Sequence, residues 1–162
     1  MLNPVQEKVY TLFKKLNIPY EVAFHTALKS QADNEENPRN IDGVILKNLF
    51  LRNKNKSKYY LFTLPLDKRA DLGELSEKLL ESRLSFGNEK SLAEKLEIKP
   101  GSVSLLNIIG VEKTDVIFII DSEVLDYDRI ALHPNDNTAS IIFSPKEISN
   151  ILDCYSIEYI FI

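Results

Sequence analysis

Apolar positions recur with two different periods along this chain, and each change of period marks an element. Residues 3–16 place Val5, Val9, Leu12, Phe13 and Leu16 at helical spacing behind Asn3 as N-cap and Pro4 at the first helical position. "YEVAF" (20–24) reads as a strand, and "SQAD" (30–33) fits the cap of a short helix before the polar loop "NEENPRN". A strand over 43–52, the turn "NKNKSK" and a second strand "YYLFTL" (59–64) form a hairpin. Asp71 and Glu74 start a helix whose stripe is Leu72, Leu75, Leu79 and Leu80; another begins at Asn88 and turns Leu92 and Leu96 inward before "KPGS" ends it. Strands then follow at 103–108 ("VSLLNI"), 116–121, 129–133 and 138–143. "SPKE" (144–147) starts a last helix, with Ser144 as cap, Pro145 at the first helical position and Glu147 closing a capping box, and "IEYIFI" ends the chain as a strand. This order predicts one α/β (α+β) domain over 1–162: a mixed, mostly antiparallel central sheet or partial barrel surrounded by helices.

One strand breaks its own pattern. In "VILKNLFLRN" (44–53), alternation puts Lys47 on a face with Ile45, Leu49 and Leu51, and Asn48 on the opposite face with Val44, Leu46 and Phe50. A strand apolar on both sides belongs at the centre of its sheet. An ammonium there either snorkels to the rim on its methylene stem or lines a pocket where its charge is used, and the strand alone leaves both open.

Composition narrows the setting. At 162 residues, 44% hydrophobic and 27% charged, the chain is an ordinary globular protein with enough length for a substantial core. Its net charge of −4 excludes a protein that grips long nucleic acid by phosphate neutralisation, but not one that takes a single strand end into a small pocket. Cys154 has no partner for a disulfide or a cysteine zinc site and reads as a small buried hydrophobe. No apolar run approaches membrane-spanning length and the N-terminus lacks signal-peptide order, so a cytoplasmic location is expected. The lysine-rich turn after residue 53 reads as solvated, although its cations would also attract a polyanion.

The usual catalytic constellations are thin. With His25 and His133 the only histidines and no metal-binding or phosphate-loop motif, neither metal nor cofactor is expected. Two elements remain. "LHPNDNTASIIF" clusters an imidazole and short polar groups at a sheet rim, as any Asn/Asp/Pro hairpin also would. "KPGSVS" (99–104) lets backbone groups approach a ligand, or is simply a helix C-cap and turn.

In combination and order, these elements resemble the YbaK-like aminoacyl-tRNA deacylases, the superfamily that includes the editing domain of bacterial prolyl-tRNA synthetases. The resemblance runs through "IPYEVAFH", "GVILKNLFLRNKNKSKYYL", "RLSFGNEKSLAEKLEIKPGSVSLLNI" and "RIALHPNDNTASIIF". The Lys-Asn pair and the His-Pro-x-x-Asn-Thr turn are most similar to the free-standing, prolyl-type branch, which removes alanine mischarged onto tRNA(Pro). The resemblance puts the essential lysine on Lys47, its asparagine on Asn48, the glycine loop on Gly101, Ser102 and Val103 through Leu105, and the turn on His133, Asn137 and Thr138. Two positions depart from it: Leu105 replaces the proline that ends the loop, where a fixed φ would stiffen it, and Thr26 replaces the proline after His25.

The implied partner is the acceptor end of mischarged tRNA(Pro), with prolyl-tRNA synthetase as a second; a monomer is expected. Lys47 would bind the terminal phosphate or ribose, loop backbone groups would hold the α-amino group and polarise the carbonyl, and water would attack with help from the vicinal ribose hydroxyl. His133 either orients ribose or water or is a structural turn residue. Strand parity suggests Ile45, Leu49 and Leu106 as walls of a pocket that excludes proline. Two alternatives stand beside this reading: a non-catalytic module that binds aminoacyl-tRNA or an amino acid, favoured by Leu105, and a deacylase for serine or cysteine.

Overall fold

The structure, a computed structural model, describes residues 4–24, 41–134 and 138–162. Helix α1 (Pro4–Lys15) and strand β1 (Glu21–Phe24) open the chain, followed by the hairpin β2 (Val44–Asn53) and β3 (Tyr59–Pro65). Next come α2 (Leu72–Lys78), β4 (Leu84–Phe86) and α3 (Glu89–Leu96), then a 3-10 helix at Leu105–Gly110. Strands β5 (Ile117–Ile120), β6 (Ile130–Leu132) and β7 (Ala139–Phe143) precede α4 (Ile148–Asp153) and β8 (Tyr159–Phe161).

The eight strands make one mixed sheet in the order β1-β7-β6-β2-β3-β5-β8, with β4 also pairing β2. Antiparallel pairs join β1 to β7, β6 to β7, β2 to β3 and β2 to β4; parallel pairs join β2 to β6, β3 to β5 and β5 to β8. The expected mixed sheet, mostly antiparallel and flanked by helices, is therefore observed, and β2 is central in it. Even-numbered residues of β2 explain the larger core: Leu46 and Phe50 pack with Val9 and Phe13 of α1, Leu92 and Leu96 of α3, Leu105 and Leu106, and Ile148 and Ile151 of α4. Odd-numbered Leu51 joins Phe62, Leu64, Leu75 and Leu84 in a smaller core under α2. A strand sandwiched this way has no solvated face, which is why its sequence is apolar at both parities.

Several elements differ from the expectation. "VSLLNI" is not a strand: Ser104 caps a 3-10 helix, its N–H donating to Asn107 Oδ1 while the Leu106 N–H donates to Ser104 Oγ (3.2 Å). Leu105, Leu106, Ile108 and Ile109 are all buried, and a run apolar on every side carries no period to separate strand from helix. Helix α3 ends at Glu97, which takes a left-handed φ of 57°, so "KPGS" lies beyond the cap. The Ser144 side chain makes no capping bond, and Glu147 accepts instead from Asn150 Nδ2 (2.7 Å). Cys154 is exposed rather than buried, its thiol directed to the Asn150 carbonyl (3.3 Å). Strand β4 and a 3-10 turn at Ser122–Asp126 were not anticipated, both being too short to show a period. The helix expected near "SQAD" lies outside the described residues.

Leu80 was expected on the buried stripe of α2 and is 94% exposed. The helix stops one turn earlier in a Schellman closure, with the Leu80 N–H donating to the Glu77 carbonyl (3.1 Å) and the Glu81 N–H to the Ser76 carbonyl (2.8 Å). That closure forces Leu80 to φ 57°, a conformation costing a non-glycine residue roughly 1–2 kcal/mol. Leu80→Gly is therefore expected to stabilise the protein by about 1 kcal/mol in denaturant unfolding, since no packing is lost with the side chain. A lower midpoint would show that Leu80 contributes packing after all.

Candidate functional site

The site lies where β2 changes partner. One edge of β2 pairs with β6 at Val44 and Ile45 and with β4 at Leu51 to Asn53. Between them, at residues 46–49, no strand of the described residues covers that edge. The Val44 N–H donates to the Arg129 carbonyl on the β6 side, whereas the Ile45 carbonyl accepts from Leu66 beyond β3, so even-numbered peptide groups face the gap.

Asn48 closes the gap with its side chain. Its Oδ1 accepts from the Leu105 N–H (2.9 Å) and from Thr63 Oγ1 (2.7 Å), which ties the 3-10 helix to the middle of the sheet. Because a backbone N–H can only donate, the carboxamide orientation is fixed and Nδ2 is the half left to face a ligand. The bond also gives the departure at position 105 a physical meaning. A proline there would lack the N–H that Asn48 holds, so loop rigidity that proline supplies covalently is supplied here by a hydrogen bond and by the Ser104–Asn107 capping box.

A cavity of about 480 Å³ opens beside this tie, lined by Asn48, Leu49, Phe50, Phe86, Gly101 and Val103 among others. That volume is in the range of small-molecule sites. Gly101 takes φ 88°, which explains glycine at this position. The loop's own hydrogen bonds can be followed one by one. The Ser102 N–H goes to the Lys99 carbonyl (3.3 Å), the Ser102 carbonyl accepts from Asn107 Nδ2 (3.1 Å), and the Ser104, Leu105 and Leu106 N–H groups are bonded as described. The peptide groups of Gly101 and Val103 are the ones this accounting leaves to the cavity. Leu49 lines it as expected, but Leu106, expected as a wall, is buried in the larger core.

Lys47 lies on the opposite side of the strand from Asn48, on the face shared with Leu49 and Leu51, and does not line the cavity. Burial lowers its pKa, only partly offset by Asp67, and no salt bridge or hydrogen bond holds its ammonium among the described residues. The His133 Nδ1 lies 3.2 Å from the Ala139 carbonyl, to which it donates. Its own carbonyl accepts from Ser104 Oγ (2.9 Å), binding the glycine loop to the end of β6. Thr138 is exposed in the turn before β7. Asn137 and His25 lie outside the described residues.

A second cavity, about 430 Å³, lies elsewhere and includes none of these groups; its Lys68 is held by Asp121 (2.7 Å) and Glu123 (3.0 Å). Among the described residues no cluster of His, Cys, Asp and Glu has the make-up of a metal site, and no helix is long and apolar enough to cross a membrane.

A mixed sheet flanked by helices in this order is the fold of an aminoacyl-tRNA editing domain. The chain belongs to the aminoacyl-tRNA editing domain family, whose model matches residues 25–151. It is similar to the prolyl-tRNA editing protein ProX of Acetoanaerobium sticklandii, 29% identical over 91% of this chain and 90% of that one. It is also similar to the prolyl-tRNA synthetase associated domain-containing protein 1 of Xenopus laevis, 27% identical over 94% and 92%. A solved structure proposed to be a trans-editing enzyme for prolyl tRNA synthetase shares the fold, with a TM-score of 0.71 at 18% identity over 99% of this chain and 98% of that one.

Replacing Asn48 by Ala would strand the buried Leu105 N–H and the Thr63 hydroxyl without an acceptor. The expected loss is about 1–3 kcal/mol of stability, read by chemical unfolding. Leu105→Pro, which removes the donor and keeps the acceptor paired to Thr63, is expected to leave the fold intact, because position 105 is the first of its 3-10 helix.

Proposed function

We propose that this chain is a trans-editing deacylase, one domain over its whole length, that hydrolyses the ester of alanine mischarged onto tRNA(Pro). The observation that carries the reading is Lys47: an ammonium partly desolvated on a central strand, with no salt bridge among the described residues, beside the gap between β6 and β4 on the edge of β2. Stability does not require such a group, since a hydrophobic side chain of similar length would fill the position without desolvating a charge. A phosphodiester at the end of a tRNA supplies the counter-charge.

The chemistry then needs position more than a strong nucleophile, because the aminoacyl ester is already activated. Lys47 holds the terminal phosphate or ribose. The Gly101 and Val103 N–H groups are disposed to polarise the ester carbonyl, their carbonyls to accept from the α-ammonium, and Asn48 Nδ2 adds a donor at the cavity wall. Water attacks the carbonyl carbon with the vicinal ribose hydroxyl as its proton relay, and the ribose oxygen leaves with a proton. His133 orients ribose or water, and Ser102, Asn137 and Thr138 contact the substrate with it.

Selectivity for alanine follows from what a synthetase cannot do. A pocket made for proline gains only about 1–3 kcal/mol against a ligand missing a few methylenes, so a second site is required to remove the smaller residue. Release of alanine from Ala-tRNA(Pro), with Pro-tRNA(Pro) intact, is the expected result. Turnover only of Ser- or Cys-charged tRNA would redirect the substrate, and no turnover of any of them would leave a binding module.

Lys47→Met is expected to abolish release while leaving the unfolding midpoint equal to or above that of the wild type; a lower midpoint would mark the lysine as structural. Since burial favours the neutral amine, the charged form on which binding depends is present at low pH and lost as pH rises through the lowered pKa. Enzyme-catalysed release, after subtraction of spontaneous ester hydrolysis, should therefore fall on the alkaline side before an ordinary lysine would titrate.

A further inference from the structure

Phe86 is 59% exposed, although it sits in a strand and borders the cavity that contains Asn48, Gly101 and Val103. A lone exposed phenylalanine is not unusual in itself. This one is held rigidly. Its residue pairs with Leu51 across β2 and β4, and its carbonyl accepts from Arg52 Nε (3.3 Å). The next residue, Gly87, donates its N–H to the Phe50 carbonyl (2.9 Å) and lies so close to the Phe50 ring that an added Cβ would come within 2.7 Å of it. The Phe50 ring is in turn stacked on Tyr59, with centroids 5.5 Å apart. An aromatic face is thus presented to solvent on a backbone with little freedom to withdraw it.

Register relates that face to the lysine. Residues directly paired in an antiparallel ladder project to the same side, so Phe86 shares the face of Leu51, and with it that of Leu49 and Lys47. Lys47 and Leu51 are separated by four residues of extended strand, about 13 Å.

We infer that Phe86 is the stacking platform for the terminal adenine of the tRNA acceptor end, at the border of the cavity in which the aminoacyl group lies beside Gly101 and Val103. The inference rests on the deacylase reading and deepens it. Stacking on an aromatic side chain is tolerant of sequence, which suits a 3′ end common to all tRNAs and leaves selectivity to the aminoacyl pocket.

The chain contains no tryptophan, so Phe86→Trp makes a single indole reporter at the proposed platform. Titration with an uncharged acceptor-stem microhelix is expected to quench its emission saturably, and a microhelix whose last nucleotide is abasic is expected to bind without that quench. Equal quenching by both, or by neither, would overturn the inference. In turnover, Phe86→Ala should lower kcat/KM by roughly tenfold, mostly through KM, while Phe86→Tyr stays close to wild type. Its unfolding midpoint should not change, because the ring is exposed. Full activity of Phe86→Ala in a wild-type background that turns over would also overturn it. If the wild type released no amino acid from any charged tRNA, the deacylase reading would fall, and the fluorescence titration would still decide the stack.

Discussion

Everything at the site depends on β2 exchanging one neighbour for another along a single edge. A strand with β6 against its start and β4 against its end has a stretch between them with no partner, and peptide groups left unpaired beside a core are costly. The protein answers with a side chain: Asn48 reaches across to the Leu105 N–H and joins a 3-10 helix to the sheet at the point where a strand would otherwise lie. That tie holds the glycine loop beside the gap.

That arrangement accounts for why the two polar residues of one strand have different tasks. Asn48, on the side of the larger core, is satisfied by Thr63 and Leu105 and acts mainly through what it positions. Lys47, one residue earlier, emerges on the other face, partly desolvated and without a salt bridge. A single residue of register separates a group that completes the fold from one that no partner among the described residues holds. The same coupling explains the leucine at the end of the loop. Its N–H is part of the tie and its side chain is part of the core, so rigidity is achieved by packing and hydrogen bonding where a fixed φ would serve elsewhere.

Acidic net charge and a nucleic-acid substrate are compatible in this geometry. Binding that reads only the end of a strand needs a few local contacts, not a surface of many phosphate contacts. It does not require the extended basic surface that a duplex-binding protein shows.

The sequence by itself determined the elements whose periodicity is imposed by one buried face or by a sandwiched strand: α1, the β2–β3 hairpin, α3 with its Asn88 cap, β5 to β7 and the closing strand. It also identified Lys47 and Asn48 as anomalies, because alternation alone shows a polar group on a covered face. What it did not determine were features set by neighbours distant in the chain. "VSLLNI" is buried all round, so only its contacts with α1, α3 and Asn48 decide that it coils; Leu80 leaves the core because a Schellman closure ends α2 early; and Phe86 reaches the cavity of Asn48 only because β4 pairs with β2. Local pattern records which side chains are buried, whereas the opening in β2 arises from which strands lie beside it, and that is decided by tertiary structure.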